Sequence, residues 1–141
     1  MPRTIIEFKT KREDWNWYSL KDGTKIKVKS VVIAVVKSDS QISVNIEKIF
    51  GVVPPEGKLG PGDTRKYAIE ELTKSVIEDD LEFSPEKEDW NIYELDDGSV
   101  LQVKPMLVKI GKTDKYDSVG IPRYVFQSTP LIKFTSPKKT S

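Results

Sequence analysis

The sequence predicts a mainly β fold: a unit of three or four strands, duplicated around a pseudo-twofold axis, barrel-like, with one short helix between the copies. Three observations predict it. The phrase DWNWYSLKDG at residues 14–23 returns 75 positions later as DWNIYELDDG at residues 89–98. Aromatic and β-branched residues alternate with polar ones on both sides of each Asp-Gly, the period of a half-buried strand. The longest Pro/Gly-rich stretch, VVPPEGKLGPGDTRK at residues 52–66, falls between the copies.

The repeat carries most weight, because a missed period misassigns the whole fold. Aligning residues 13–39 with 88–114 leaves twelve of 27 positions identical without a gap: Glu13, Asp14, Trp15, Asn16, Tyr18, Leu20, Asp22, Gly23, Val28, Lys29, Lys37 and Asp39. The same shift pairs Glu7-Phe8 with Glu82-Phe83, Ser43-Val44 with Ser118-Val119, Ile46 with Ile121 and Pro55 with Pro130. A constant offset over some fifty residues reads as duplication.

Each copy opens on a short β-prone piece, residues 5–8 and 81–83. A strand follows at residues 15–20 and 90–95, feeding a tight turn on Asp22-Gly23 and Asp97-Gly98. Glycine tolerates the positive φ of such a turn, and aspartate bonds the turn backbone. The next strand is long and changes its buried face. Ile26 and Val28 point inward first, then Val31, Ile33 and Val35; Leu101 and Val103 give way to Met106, Val108 and Ile110. The switch is expected at Ser30 and Pro105, because proline inside a strand belongs at an edge or a bulge. The uncharged run at residues 31–36 calls for a central strand, since an open edge would aggregate. A third strand is expected near residues 42–53 and 118–132.

Between the copies, Ile69, Leu72 and Val76 have helical spacing, which predicts a helix over 67–75 with Asp63 or Thr64 as N-cap. The organisation expected is one domain, residues 1–134, made of repeats 4–55 and 79–130 joined by 56–78, with a flexible tail at 135–141. A 60-residue unit with so few apolar side chains is marginal alone, so the copies should share a core.

Composition narrows the function. The 141 residues hold 23 basic and 22 acidic side chains, no histidine and no cysteine. That removes the commonest general base near neutral pH, the Ser–His and Cys–His pairs and thiolate zinc sites. No nucleotide-binding glycine motif is present; GKLGPGD at residues 57–63 has the wrong spacing. No cofactor is expected. The longest apolar run, VVIAVV, is far below the roughly 20 residues of a membrane span, so no membrane partner is expected and the cytoplasm is the expected compartment.

Charge is distributed unevenly. Residues 1–37 carry nine bases and four acids, whereas residues 76–99 carry ten acids and the single base Lys87. Lys25, Lys27 and Lys29 share a strand face beside Trp17, a pattern that suits nucleic acid, with lysines on phosphates and rings on bases. Equally, a strand buried on its other face must present polar groups to water. Hard oxygens clustered in the acidic window could hold a divalent cation, but no calcium-loop pattern is present, and Asp96-Asp97-Gly98 suits a turn. Between copies, Ser19 becomes Glu94, Lys21 becomes Asp96, Lys25 becomes Val100 and Lys27 becomes Gln102: the hairpin stays and its outward charge reverses.

The reading is a non-catalytic binding or assembly module for a protein partner or for itself. Its contacts would be Trp17, Lys25, Lys27 and Lys29 on one hairpin and Glu94, Asp96 and Asp97 on the other. Nucleic-acid binding through the basic face and a metal-dependent carboxylate enzyme are the alternatives.

Overall fold

The computed structural model describes residues 3–136. The first half folds into β1 (Arg3–Ile6), β2 (Phe8–Arg12), β3 (Asn16–Leu20), β4 (Lys25–Ser38) and β5 (Gln41–Val53). A helix α1 (Ile69–Lys74) precedes β6 (Val76–Glu78), β7 (Phe83–Lys87), β8 (Asn91–Leu95), β9 (Val100–Tyr116) and β10 (Pro122–Thr135). The fold is mainly β, with one short helix among the described residues. The tail expected at 135–141 lies outside the described residues from position 137; Thr135 still belongs to β10.

Two antiparallel sheets of five strands form. In the first, β4 carries β5 along one edge and β3 then β1 along the other, with β7 beyond β3. In the second, β9 carries β10 along one edge and β8 then β6 along the other, with β2 beyond β8. The N-terminal segment therefore changes sheet at Glu7: β1 joins β4, and β2 pairs with β8 of the other half. The reverse happens after β6, where the chain leaves β9 and β7 pairs with β3. Each half lends a strand to the other, in matching register: Phe8 lies opposite Leu95, and Phe83 opposite Leu20.

The apolar clusters follow the exchange. One gathers Tyr18, Leu20, Ile26 and Val28 with Leu107, Ile110 and Tyr124; the other gathers Tyr93, Leu95, Leu101 and Val103 with Val32 and Val35. Both draw on both halves. In each, the lent phenylalanine stands edge-on to the tyrosine, with ring centroids 5.6 Å apart for Tyr18–Phe83 and 5.7 Å for Phe8–Tyr93. Such pairs add about 0.5–1.5 kcal/mol to area burial.

The repeated phrase supplies the bonds between halves. Asn16 and Asn91 are fully buried, so their amides must find partners. The Asn16 Nδ2 donates to the Asp89 carbonyl (3.3 Å), and the Asp89 N–H donates back to Asn16 Oδ1 (3.1 Å). Asn91 Oδ1 accepts from the Asp14 N–H (3.0 Å), while its Nδ2 donates to the Ser30 carbonyl (3.0 Å). Tyr18 Oη donates to Glu88 (2.7 Å) and Tyr93 Oη to Glu13 (2.6 Å). Burial first, then the adjacent carboxylate, raises both phenol pKa values far above the usual. Lys29 lies 4.0 Å from Glu13 and Lys104 lies 3.9 Å from Glu88.

The charge reversal between hairpins now has a local cause. The first hairpin receives an acidic segment: Lys21 meets Glu82 at 2.8 Å and Lys25 meets Glu86. The second receives a basic one, and Glu94 meets Lys11 at 3.5 Å. Lys11 and Glu86 are 75 positions apart, so returning each strand to its own half would set Lys11 beside Lys25 and Glu86 beside Glu94. Exposed pairs contribute only about 0.2–1 kcal/mol each, and like-charge pairs cost a similar amount. Together they tilt the balance towards the exchanged pairing.

Three expectations are corrected. The face switch comes later than Ser30 and Pro105, which are both buried; even positions stay inward through Val32. The extra residue is Ile33, between the pairs Val32–Ile46 and Ala34–Asn45, and in β9 it is Val108, between Leu107–Ser128 and Lys109–Gln127. Both bulged residues face solvent, at 52 % and 51 % exposure. The barrel-like closure is not formed among the described residues. The free edges of β5 and β10 meet without a ladder: Phe50 stacks on Phe126 at 4.5 Å, and Lys48 Nζ donates to the Ser128 carbonyl at 2.9 Å. Finally, the helix starts at Ile69, two residues late. Asp63 does not cap it, because its carboxylate accepts from the Tyr67 hydroxyl and the Arg65 N–H; Glu71 instead reaches back to the Ala68 N–H. The run at residues 31–36 does lie on a central strand.

Two tests follow from the exchange. Ile26→Ala and Leu101→Ala should each cost about 2–5 kcal/mol. Urea unfolding followed by tryptophan fluorescence and by far-UV circular dichroism should stay a single coincident transition, since each cluster spans both halves; two separated transitions would contradict the shared clusters. Glu86→Lys should lower stability by up to about 1 kcal/mol, and adding Lys25→Glu should recover it, a coupling a double-mutant cycle reads directly.

Candidate binding groove at the sheet edges

The basic face forms as expected on the outer side of the first sheet. Trp17 lies opposite Lys27 on one side and Lys87 on the other. Each lysine is occupied within the chain. Lys25 pairs with Glu86, and Lys29 sits between Glu13 and the Trp15 ring. The Lys27 ammonium lies 4.5 Å from the Trp15 ring centroid and 5.8 Å from that of Trp17. Such contacts contribute about 0.5–1 kcal/mol at exposed sites.

The acidic members lie in the second sheet, and no contact joins the two groups among the described residues. Glu94 pairs with Lys11; Asp96 is an exposed turn residue whose N–H donates to the Glu7 carbonyl (3.0 Å). Asp97 closes the turn before Gly98 (φ 86°), accepting from the Ser99 N–H (2.9 Å) and hydroxyl. Asp22 does the same for Thr24 beside Gly23 (φ 92°). Among the described residues no group of three acidic side chains is placed to hold a metal ion, and no helix is long and apolar enough to cross a membrane.

A concave site lies where the edges of β5 and β10 part. Beyond the Phe50–Phe126 stack, a groove of about 470 Å³ opens between the end of β5, helix α1 and the start of β10. Its walls mix the apolar Val52, Val53, Leu72, Ile121 and Tyr124 with the charged Lys27, Asp117 and Arg123. A second cleft of about 410 Å³ shares Pro122 and Tyr124 with it and continues under Pro54, Pro55 and Lys58.

The groove is held open by packed loops. A Cβ on Gly60 would stand 2.2 Å from the Tyr116 ring, and one on Gly120 (φ 99°) would stand 2.3 Å from the Gly60 carbonyl oxygen. Gly60 N–H donates to the Gly120 carbonyl (2.8 Å), and Asp63 N–H to that of Asp117 (2.9 Å). These contacts pin residues 57–63 onto the turn before β10. That turn belongs to Asp117, whose carboxylate accepts from the N–H groups of Val119, Gly120 and Ile121 at 2.9–3.0 Å. β10 consequently begins at Pro122 rather than 118.

Two cations reach the groove without a carboxylate within ion-pair distance among the described residues. Lys27 lies against Gly51 of β5, where a Cβ would stand 2.6 Å from its Cε. Arg123 spends its Nε on the Tyr116 carbonyl (3.2 Å), with its guanidinium 5.7 Å from the Tyr67 ring centroid. Only Lys27, of the residues singled out from sequence, lines this site. Val52, Val53, Leu72, Tyr124 and Arg123 were passed over; the one sequence signal was Pro54-Pro55 following an apolar strand end, which read as linker.

No protein-family model, curated protein or solved structure matches the chain.

The turn aspartates set a pH dependence. The Asp97 carboxyl is held below the usual range by the Ser99 hydroxyl and then by its N–H. Burial pushes Asp22 up, but the two bonds from Thr24 and the charge of Lys112 outweigh it and leave it low. Carboxyls depressed in the folded state stabilise it fully above their unfolded value, about 3.9, and lose that contribution as pH falls through the folded value. The thermal midpoint should stay level from pH 7 to about 5 and drop below about 4. Asp22→Asn with Asp97→Asn should make that drop shallower.

Proposed function

We propose that the chain is a non-catalytic binding module that takes an extended segment of a partner protein in the groove between the β5 and β10 edges. The observation that carries this reading is the groove itself: a trough with apolar and charged walls, flanked by two sheet edges that carry no ladder among the described residues, on a scaffold clamped by packed glycines. Sites of this kind are concave, mostly apolar and pre-formed, with a few polar groups that orient the ligand. An extended segment laid along a free edge gains main-chain hydrogen bonds, and alternate side chains enter the walls.

The rest of the reading follows. We take the two halves as products of duplication, supported by the constant 75-residue offset and by paired registers such as Phe8–Leu95 and Phe83–Leu20. Both halves then make one domain, since each apolar cluster draws on both. The charged hairpins serve this internal joint; their partners within the chain weigh against salt-mediated self-association as the main role.

A library of displayed random peptides, selected on the full chain, tests the groove. Enriched peptides should bind Leu72→Arg and Val53→Arg at least tenfold more weakly than the parent, while both variants keep the parent's thermal midpoint within a few degrees. Peptides that bind parent and variants alike would rule the groove out.

A further inference from the structure

The joint between the halves can be supplied by a second copy of the chain, and one turn decides which copy supplies it. We infer that two copies exchange halves, residues 3–55 of one packing on residues 58–135 of the other, with residues 55–58 as the hinge. The ladders β2–β8 and β3–β7, the Asn16 and Asn91 bonds and the Phe50–Phe126 stack all run between residues up to 53 and residues from 83 on. An exchanged dimer rebuilds each of them twice, which makes exchange a low-cost route to a dimer.

The chain passes from one half to the other over four residues. On the near side Pro55 lies against the turn between β3 and β4, where a Cβ on Gly23 would stand 3.4 Å from its Cγ. On the far side Gly60 and Asp63 are bonded to Gly120 and Asp117, and a Cβ on Gly62 would stand 2.5 Å from the Ser118 carbonyl oxygen. Between these anchors the exposed Glu56 and Gly57 reverse the chain, and the Lys58 N–H donates to the Pro55 carbonyl (3.1 Å). Gly57 sits at φ 77°, with nothing within 4 Å of the place a Cβ would take. Only the left-handed backbone therefore asks for glycine there. Pro55 fixes its own φ and disfavours a helical turn at Pro54, and a hinge so short and constrained invites exchange.

Charge selects the half that is accepted. Two first halves paired this way would set Lys11 beside Lys25, and two second halves would set Glu86 beside Glu94. A first half with a second half instead meets Lys25 with Glu86 and Glu94 with Lys11, so two copies close the exchange and leave no half unpaired. Each groove then has walls from both copies: Lys27, Val52 and Val53 lie on one side of the hinge, and Leu72, Ile121 and Arg123 on the other.

The test is light scattering on the full chain, refolded from urea over a range of concentrations. The dimer fraction of the parent should rise with concentration; a parent that is monomeric throughout ends the proposal. Gly57→Val strains each closed turn by about tenfold and a dimer opens two turns, so its dissociation constant should fall about a hundredfold. Gly57→Asn, which tolerates the left-handed region, should stay within a few-fold of the parent. A folded Gly57→Val chain no more dimeric than the parent overturns the hinge. Because the chain has no cysteine, Ser19→Cys with Ser84→Cys reads the exchange itself, these positions being register partners across β3 and β7. Their disulfide lies within one chain in the monomer and joins two chains in the exchanged dimer. The oxidised dimer should survive SDS without reductant. One that falls apart into internally bridged single chains is a surface contact, and exchange is excluded.

Discussion

Everything in this molecule depends on two asparagines that have no solvent. Asn16 and Asn91 are buried at the joint between the sheets, and an amide stripped of water costs about 1–3 kcal/mol per unmatched group. Their partners are the backbone of Asp89 for Asn16 and of Asp14 and Ser30 for Asn91, so all three lie in the opposite half. Neither half can satisfy its asparagine by itself in this arrangement. The Tyr18–Glu88 and Tyr93–Glu13 bonds repeat the logic one step along, and the lent strands bring the phenylalanines that close the space. Polar necessity, not apolar area alone, ties the halves in this register.

That joint explains which features were legible in the sequence. The hairpins were, because Asp-Gly between alternating residues is a local signal. The charge reversal between hairpins was visible too, but its direction was not. Nothing local to Lys25 or Glu94 tells whether the complementary charge comes from another molecule or from a strand some sixty to eighty positions away. The lent strands were unreadable for the same reason: Phe8 and Phe83 have identical local patterns whichever half they join. Bulge placement failed for a different reason. Ser30 and Pro105 look like breaks, yet the break falls at Ile33 and Val108, where two apolar residues are turned out to solvent to keep the flanking Val32, Val35, Leu107 and Ile110 inside.

The groove lay beyond sequence reasoning altogether. It is assembled from the end of β5, one helix residue and the start of β10, elements with no periodic relation. The glycines that hold it show their purpose only in three dimensions. Gly60 reads as loop punctuation and Gly120 falls in an expected strand, but their missing side chains are what allow residues 57–63 to lie against the Tyr116 ring and the Asp117 turn.

The strand that crosses at Glu7 has a further consequence, for the order of events in synthesis. β2 is complete when about a dozen residues have emerged, but its partner β8 ends at Leu95. At about 5–20 residues per second, several seconds pass before a correct neighbour exists. During that time its nearest edge is β3, the strand next in sequence, and a simple hairpin between them would be the fast, low-contact-order product. Lys11 set beside Lys25 discourages that hairpin. The same charges that look like surface decoration in the finished protein therefore guard a nascent chain against its own shortest path, and hold the N-terminal segment in reserve until the second half arrives.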